Sequence, residues 1–312
     1  MIEVAPIGLE VEVTVPATSA NLGPGFDSLG LALSLLDRIR ARFRPDGEVR
    51  VVVSGEGAGR VPTDASNLVA HVIRTGLATF DETGELAGRG LEIRCVNAVP
   101  HSRGLGSSAA AIVGGLAVAA HLSGVADDLS AAELVALATR LEGHPDNVAP
   151  AVLGGATVAW LQDGEIGLVG RAARIDVHPS VVPILVIPTL QASTSQARGV
   201  LPDQVSHADA CFNVARSALL VHALSTDPSL LLEATDDRLH QQQRRAVYPA
   251  SLELVGGLRE RGIAAAISGA GPSVIALAVG DPVRVVDRIQ ALVGPGAGVR
   301  ALEVATSGVR VV

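Results

Sequence analysis

Lysine is absent from the 312 residues, and all 24 basic side chains are arginines. That excludes a lysine Schiff base and a lysine-dependent Walker phosphate loop. Aromatic residues make up 2% of the chain, too few for base-stacking platforms. The two cysteines, Cys95 and Cys211, stand alone with no CxxC pair, so neither a disulfide framework nor a thiolate zinc site is indicated. No basic stretch followed by an apolar run opens the sequence, and the long uncharged runs are broken by glycine, histidine or proline. No membrane association is expected, and the simplest expectation is a reduced, cytoplasmic protein. The formal charge of −8 speaks against general binding to nucleic acid, while leaving room for a local anion site.

What is present is a hydrophobic fraction of 48%, enough for a sizeable core. Length and the change of rhythm near Asp163-Gly164 suggest two domains, 1–165 and 166–312. Strands are expected at Glu10–Val15, Val49–Ser54, Leu91–Val96, Val181–Ile187 and Val274–Val279, with Pro16–Gly30 read as a long loop. Arg38, Arg40, Arg42 and Arg44 alternate with apolar residues, as on a half-exposed strand. Helices are expected at Ser66–Phe80, Ser107–Leu122, Ser130–Glu142 and Ala208–Ser225, and after Pro249 and Pro282. Ser130 with Glu133 forms a capping box. The class is α+β.

Arg103-Gly-Leu-Gly-Ser-Ser-Ala-Ala-Ala111 is the most informative segment. Two glycines allow close backbone approach, and a helix-forming run follows at once. Free amides at that helix start can cradle phosphate oxygens. No acidic residue lies between Arg103 and Ala126, although helix starts favour them. A capped structural turn is the competing reading. The glycine spacing fits neither the Walker loop nor the dinucleotide fingerprint.

Glu142 ends the expected helix Ser130–Glu142, where its charge meets the negative end of the helix. A cation would offset that penalty, with Ser107 or Ser108 completing an oxygen shell suited to magnesium; a solvent-facing cap residue is the alternative. His144, Asp146 and Asn147 follow as a polar cluster able to bind substrate hydroxyl or amino groups. Asn21 and Asp27 suit a cationic or hydroxylated ligand, or else their own backbone. Thr194, Arg198 and Arg244 offer partners for a carboxylate, which guanidinium can bind through two parallel hydrogen bonds.

Pro16–Gly30, Pro100–Ala111, Glu142–Pro150 and Ser268–Ser273 together resemble the GHMP kinase superfamily, and within it the homoserine kinases, over almost the whole chain. The resemblance implies an N-terminal domain like ribosomal protein S5 domain 2 and a ferredoxin-like C-terminal domain. It implies ATP- and Mg2+-dependent phosphorylation of the L-homoserine hydroxyl, a step of threonine synthesis. By resemblance, Arg103, Gly104, Leu105, Gly106, Ser107, Ser108 and Ala109 hold the nucleotide phosphates, and Asn67 belongs to the adenine pocket. Ser108 and Glu142 are the implied metal ligands. Asn21, Asp27, His144, Asp146, Arg198 and Arg244 are the implied substrate set, with Arg245 competing for the last place. Asn147, Thr194 and Asp146 stand nearest the chemistry. Asparagine is no ordinary general base, so direct in-line transfer is expected rather than proton abstraction by Asn147. A mevalonate-type kinase and a non-catalytic ligand sensor are the alternatives, and a homodimer is left open.

Overall fold

β1 (Val11–Asn21) and the long β2 (Gly25–Arg44) pair antiparallel and open a computed structural model that describes residues 8–81, 83–164, 167–293 and 297–312. The expected loop at 16–30 is therefore mostly strand, with only residues 22–24 in the turn. Ala17 to Leu22 are buried without alternation, because this stretch is covered on both faces. Sequence periodicity marks a strand only where one face stays wet.

β3 (Val49–Gly55), α1 (Leu68–Phe80) and β4 (Gly90–Asn97) follow. The far half of β2 pairs with β4, and β3 runs parallel to β4. The arginine alternation behaves as read. Ile39, Ala41 and Phe43 are buried, while Arg40 pairs with Glu12, and Arg42 and Arg44 share Glu92.

α2 (Ser107–Leu122), α3 (Ala131–Glu142) and the short α4 (Val148–Leu153) pack over this sheet. The capping box at Ser130 and Glu133 is present in both directions. β5 (Ala156–Gly164) joins β2 on one side and β6 (Gly167–Ile175) on the other. The division expected between 165 and 166 lies outside the described residues; β5 and β6 on either side of it pair with each other, and the first sheet runs on to Ile175.

β7 (Val181–Ile187) begins the second layer, followed by α5 (Thr194–Gly199), α6 (His207–Ser225), α7 (Leu231–Ala234) and α8 (Pro249–Arg259). β8 (Ala264–Ile267), β9 (Val274–Val279), α9 (Pro282–Val293) and β10 (Gly298–Ala301) complete an antiparallel sheet of order β10-β7-β9-β8. β11 (Arg310–Val311) then returns to pair with β1 in the first sheet. An apolar cluster including Leu22, Leu31, Leu220 and Ile275 joins the two layers. No helix among the described residues is long and apolar enough to cross a membrane.

Candidate active site

The start of α2 is unusually open. Gly106, its N-cap, is left-handed at φ 70° and has no side chain to bond the first amides, and the first turn holds no acidic residue. The intrahelical ladder begins with Ala110 donating to the Gly106 carbonyl at 2.9 Å. The amides of Ser107, Ser108 and Ala109 precede it, and their dipoles favour an anion. Glycine is required twice here. A Cβ on Gly106 would sit 1.9 Å from Thr18 Oγ1, and one on Gly104, also left-handed, 2.1 Å from the Ser268 carbonyl oxygen. The loop between β8 and β9 thus clamps the glycine-rich segment, and Ser268 Oγ also donates to the Gly104 carbonyl at 2.6 Å.

Ser108 Oγ donates to Glu142 Oε2 at 2.7 Å, across 34 residues of chain. Burial raises the Glu142 pKa, partly offset by that hydrogen bond. The pair offers a carboxylate and a hydroxyl beside the open amides, a donor set that fits magnesium once phosphate and water complete the shell. No cluster of three or more His, Cys, Asp and Glu residues is placed for a metal among the described residues, so an all-protein cage is absent there.

Gly143 ends α3 in the left-handed region at φ 92° and turns the chain into the polar cluster. His144 Nδ1 donates to Asp146 Oδ1 at 2.6 Å, and the same oxygen accepts the Asn147 backbone N–H at 2.9 Å. The hydrogen bond to Asp146 raises the His144 pKa against the opposing effect of burial, favouring imidazolium. Asn147 is fixed by Thr18, whose hydroxyl donates to its Oδ1 at 2.8 Å.

Opposite lie the arginines. Arg198 forms two bonds to Asp27, Nη1 to Oδ2 at 3.0 Å and Nη2 to Oδ1 at 2.6 Å. Asn21 orients this region: its Nδ2 donates to the Gly269 carbonyl and its Oδ1 accepts the Asp27 N–H. Arg244 is only 1% exposed and has no carboxylate within ion-pair distance among the described residues. Its Nε donates to the Ala197 carbonyl at 3.0 Å and its Nη1 to His240 Nδ1 at 2.8 Å. His240 Nε2 in turn donates to the Gly23 carbonyl at 2.7 Å, which makes His240 the neutral tautomer. Phe26 stacks on His240 and lies under both guanidinium groups, 5.6 Å from Arg198 and 5.5 Å from Arg244.

One cleft of about 230 Å³ is lined by Asn21, Gly104 to Ser108, Glu142, His144, Asp146, Asn147, Thr194, Arg198 and Arg244. Arg244 rather than Arg245 reaches it; Arg245 is exposed and bonds the Gln242 side chain. Asp27 adjoins it through Arg198, and Ala109 is buried behind it. Arg103 is turned away. Its guanidinium is taken by the carbonyls of Pro188, His101 and Thr189. Asn67 lies in an adjoining cavity, where it caps α1 through Val69 N–H and donates to the Pro62 carbonyl. Thr18, Phe26 and His240 were not singled out as candidate residues in the sequence, whereas Ser268 opens the Ser268–Ser273 segment that was. Of those three, His240 alone left a trace, four residues before Arg244.

A family model for the GHMP kinases N terminal domain matches residues 67–155, and one for GHMP kinases C terminal matches 218–293. A homoserine kinase of Mycobacterium sp. (strain KMS) is 52% identical over 279 residues, covering 89% of this chain and 87% of that protein. The crystal structure of homoserine kinase from Cytophaga hutchinsonii superposes with a TM-score of 0.83 at 26% identity, covering 100% of both chains. Mevalonate diphosphate decarboxylase from Staphylococcus aureus shares the fold, with a TM-score of 0.70 at 14% identity over 97% of this chain and 98% of that one.

Proposed function

The chain belongs to the GHMP kinases and within them to the homoserine kinases, and on that premise we propose how its cleft performs the reaction. The enzyme transfers the γ-phosphoryl group of ATP to the side-chain hydroxyl of L-homoserine, giving O-phospho-L-homoserine, ADP and the released hydroxyl proton, on the route to threonine. The observation that carries the mechanism is the single cleft lined by an open helix start, the Glu142 carboxylate and two arginines.

The amides of Gly104 to Ala109 receive the phosphate oxygens. Ser108 and Glu142 would hold magnesium, whose contribution when bound is to neutralise charge on those oxygens. Arg198 and Arg244 take the substrate carboxylate, while Asp27, positioned by Asn21, takes its ammonium group. Arg244 suits this work because it is a buried cation that meets carbonyls, an imidazole nitrogen and an aromatic face, with no carboxylate in ion-pair contact among the described residues.

Asp146, His144 and Thr194 line the space left for the hydroxyl. Asp146 Oδ1 is already occupied by His144 and Asn147. Oδ2 is the carboxylate oxygen left to accept the hydroxyl's hydrogen bond and aim its lone pair at phosphorus. The imidazolium of His144 adds positive charge beside the transferring group. Asn147 orients through its bonds to Thr18 and Asp146 and takes no proton. Catalysis then comes from in-line positioning and charge stabilisation, as expected for a loose phosphoryl-transfer transition state. Turnover with homoserine, serine, threonine and mevalonate, with and without magnesium, tests this reading. Homoserine alone should be turned over efficiently, and only with magnesium; equal turnover of mevalonate would contradict the substrate assignment.

A further inference from the structure

The cavity that holds Asn67 has a volume of about 350 Å³ and shares Ser102, Ser107 and Ser108 with the cleft. Its walls are largely apolar, with Ile39, Val53, Val61 and Val69 among them. One carboxylate interrupts them, Asp37 near the middle of β2, 5% exposed. Asp37 Oδ1 accepts two backbone amides, from Ala98 at 2.7 Å and from Val99 at 2.9 Å. Oδ2 has no hydrogen-bond partner among the described residues, and no arginine lines the cavity. Burial pushes the carboxyl up to about 6 even though the two amides pull it down.

Anchoring the backbone at 98–99 uses one oxygen and leaves the other without a protein donor. On the wall of a cavity, such a carboxylate oxygen is open to a donor from a ligand. A cavity with apolar walls, opening beside the phosphate-binding amides, is where the base of a nucleotide comes to rest if its phosphates occupy Gly104 to Ala109. We infer that Asp37 reads that base, its Oδ2 accepting a hydrogen bond from the exocyclic amino group at C6 of adenine. A carbonyl at the same position, as in hypoxanthine, would face the carboxylate oxygen with a second acceptor. The inference rests on the nucleotide site proposed above.

Polarity reversal provides the test. Asp37→Asn keeps an oxygen for the two amides and puts an NH2 group where Oδ2 was. Relative kcat/KM for ATP over ITP should fall at least tenfold in the variant, with the KM for homoserine unchanged. The wild type alone gives a second reading: purine riboside triphosphate, which lacks the C6 amino group, should be used at least tenfold less efficiently than ATP. An unaltered ATP/ITP ratio in a folded variant, or wild-type indifference to the C6 substituent, would overturn the inference. A wild type that transfers phosphate from none of these nucleotides would instead sink the kinase reading itself.

Discussion

Asp27 and Arg198 stand 171 residues apart and hold each other by two hydrogen bonds, 2.6 and 3.0 Å long, at the edge of the cleft. On the proposed reading, the pair stands in for the ligand. A zwitterionic amino acid entering between them would give its ammonium to Asp27 and its carboxylate to Arg198, so that each internal partner is replaced by one of the same charge. A ligand with only one of the two charges leaves a member of the pair unanswered.

Arg198→Lys keeps the charge and loses the fork. Charge-assisted bonds of this kind contribute about 1.5–3 kcal/mol, so the KM for homoserine should rise by about ten- to a hundredfold, with the KM for ATP nearly unchanged. Steady-state kinetics with each substrate varied in turn checks this. An equal rise in both constants would point to a general structural defect.

Glu142→Gln should abolish most phosphoryl transfer and yet stabilise the ligand-free protein at neutral pH. Burial raises the Glu142 pKa, so its contribution to stability is present below the ordinary carboxylate range and is lost as pH rises through the folded value. Removing the charge removes that cost. Thermal unfolding should show Tm higher in the variant without ligand, and a smaller gain on adding magnesium and nucleotide than in the wild type.

His144 has the same sign for a different reason. Its bond to Asp146 favours imidazolium, so the stabilisation is complete below the ordinary histidine pKa and disappears as pH rises through the raised value. His144→Gln should therefore lower Tm more at pH 6 than at pH 9. A difference that is the same at both pH values would show that the pair is not charged.

Gly106→Ala places a methyl group against Thr18 and Asn147 in a left-handed backbone position. A destabilisation of about 1–3 kcal/mol is expected, measurable by urea unfolding. The accompanying loss should fall on kcat, because the amides of Ser107 and Ser108 and the Asn147 side chain all meet there.

Much of this site was legible in sequence because it is built from local features. The helix start at Ser107, the Ser130–Glu133 capping box and the polar run after Glu142 each carry their signal within a few residues. The long pairings were not legible. Thr18 meets Asn147 across 129 residues, and nothing near Thr18 announces it. The strand character of Ala17 to Leu22 was hidden because both faces are covered, which erases alternation. Arg103 opens the glycine-rich segment in sequence, but nearby carbonyls claim its guanidinium. Sequence proximity to a motif does not decide where a long side chain finds its partners.

Stereochemistry at phosphorus tests the central claim most directly. If one cleft aligns the homoserine hydroxyl with ATP and no group of the protein carries the phosphoryl in between, transfer from ATP chiral at the γ-phosphorus must invert configuration. Inversion in the isolated O-phospho-L-homoserine is the predicted result; retention would require an intervening phosphorylated side chain and would contradict direct transfer.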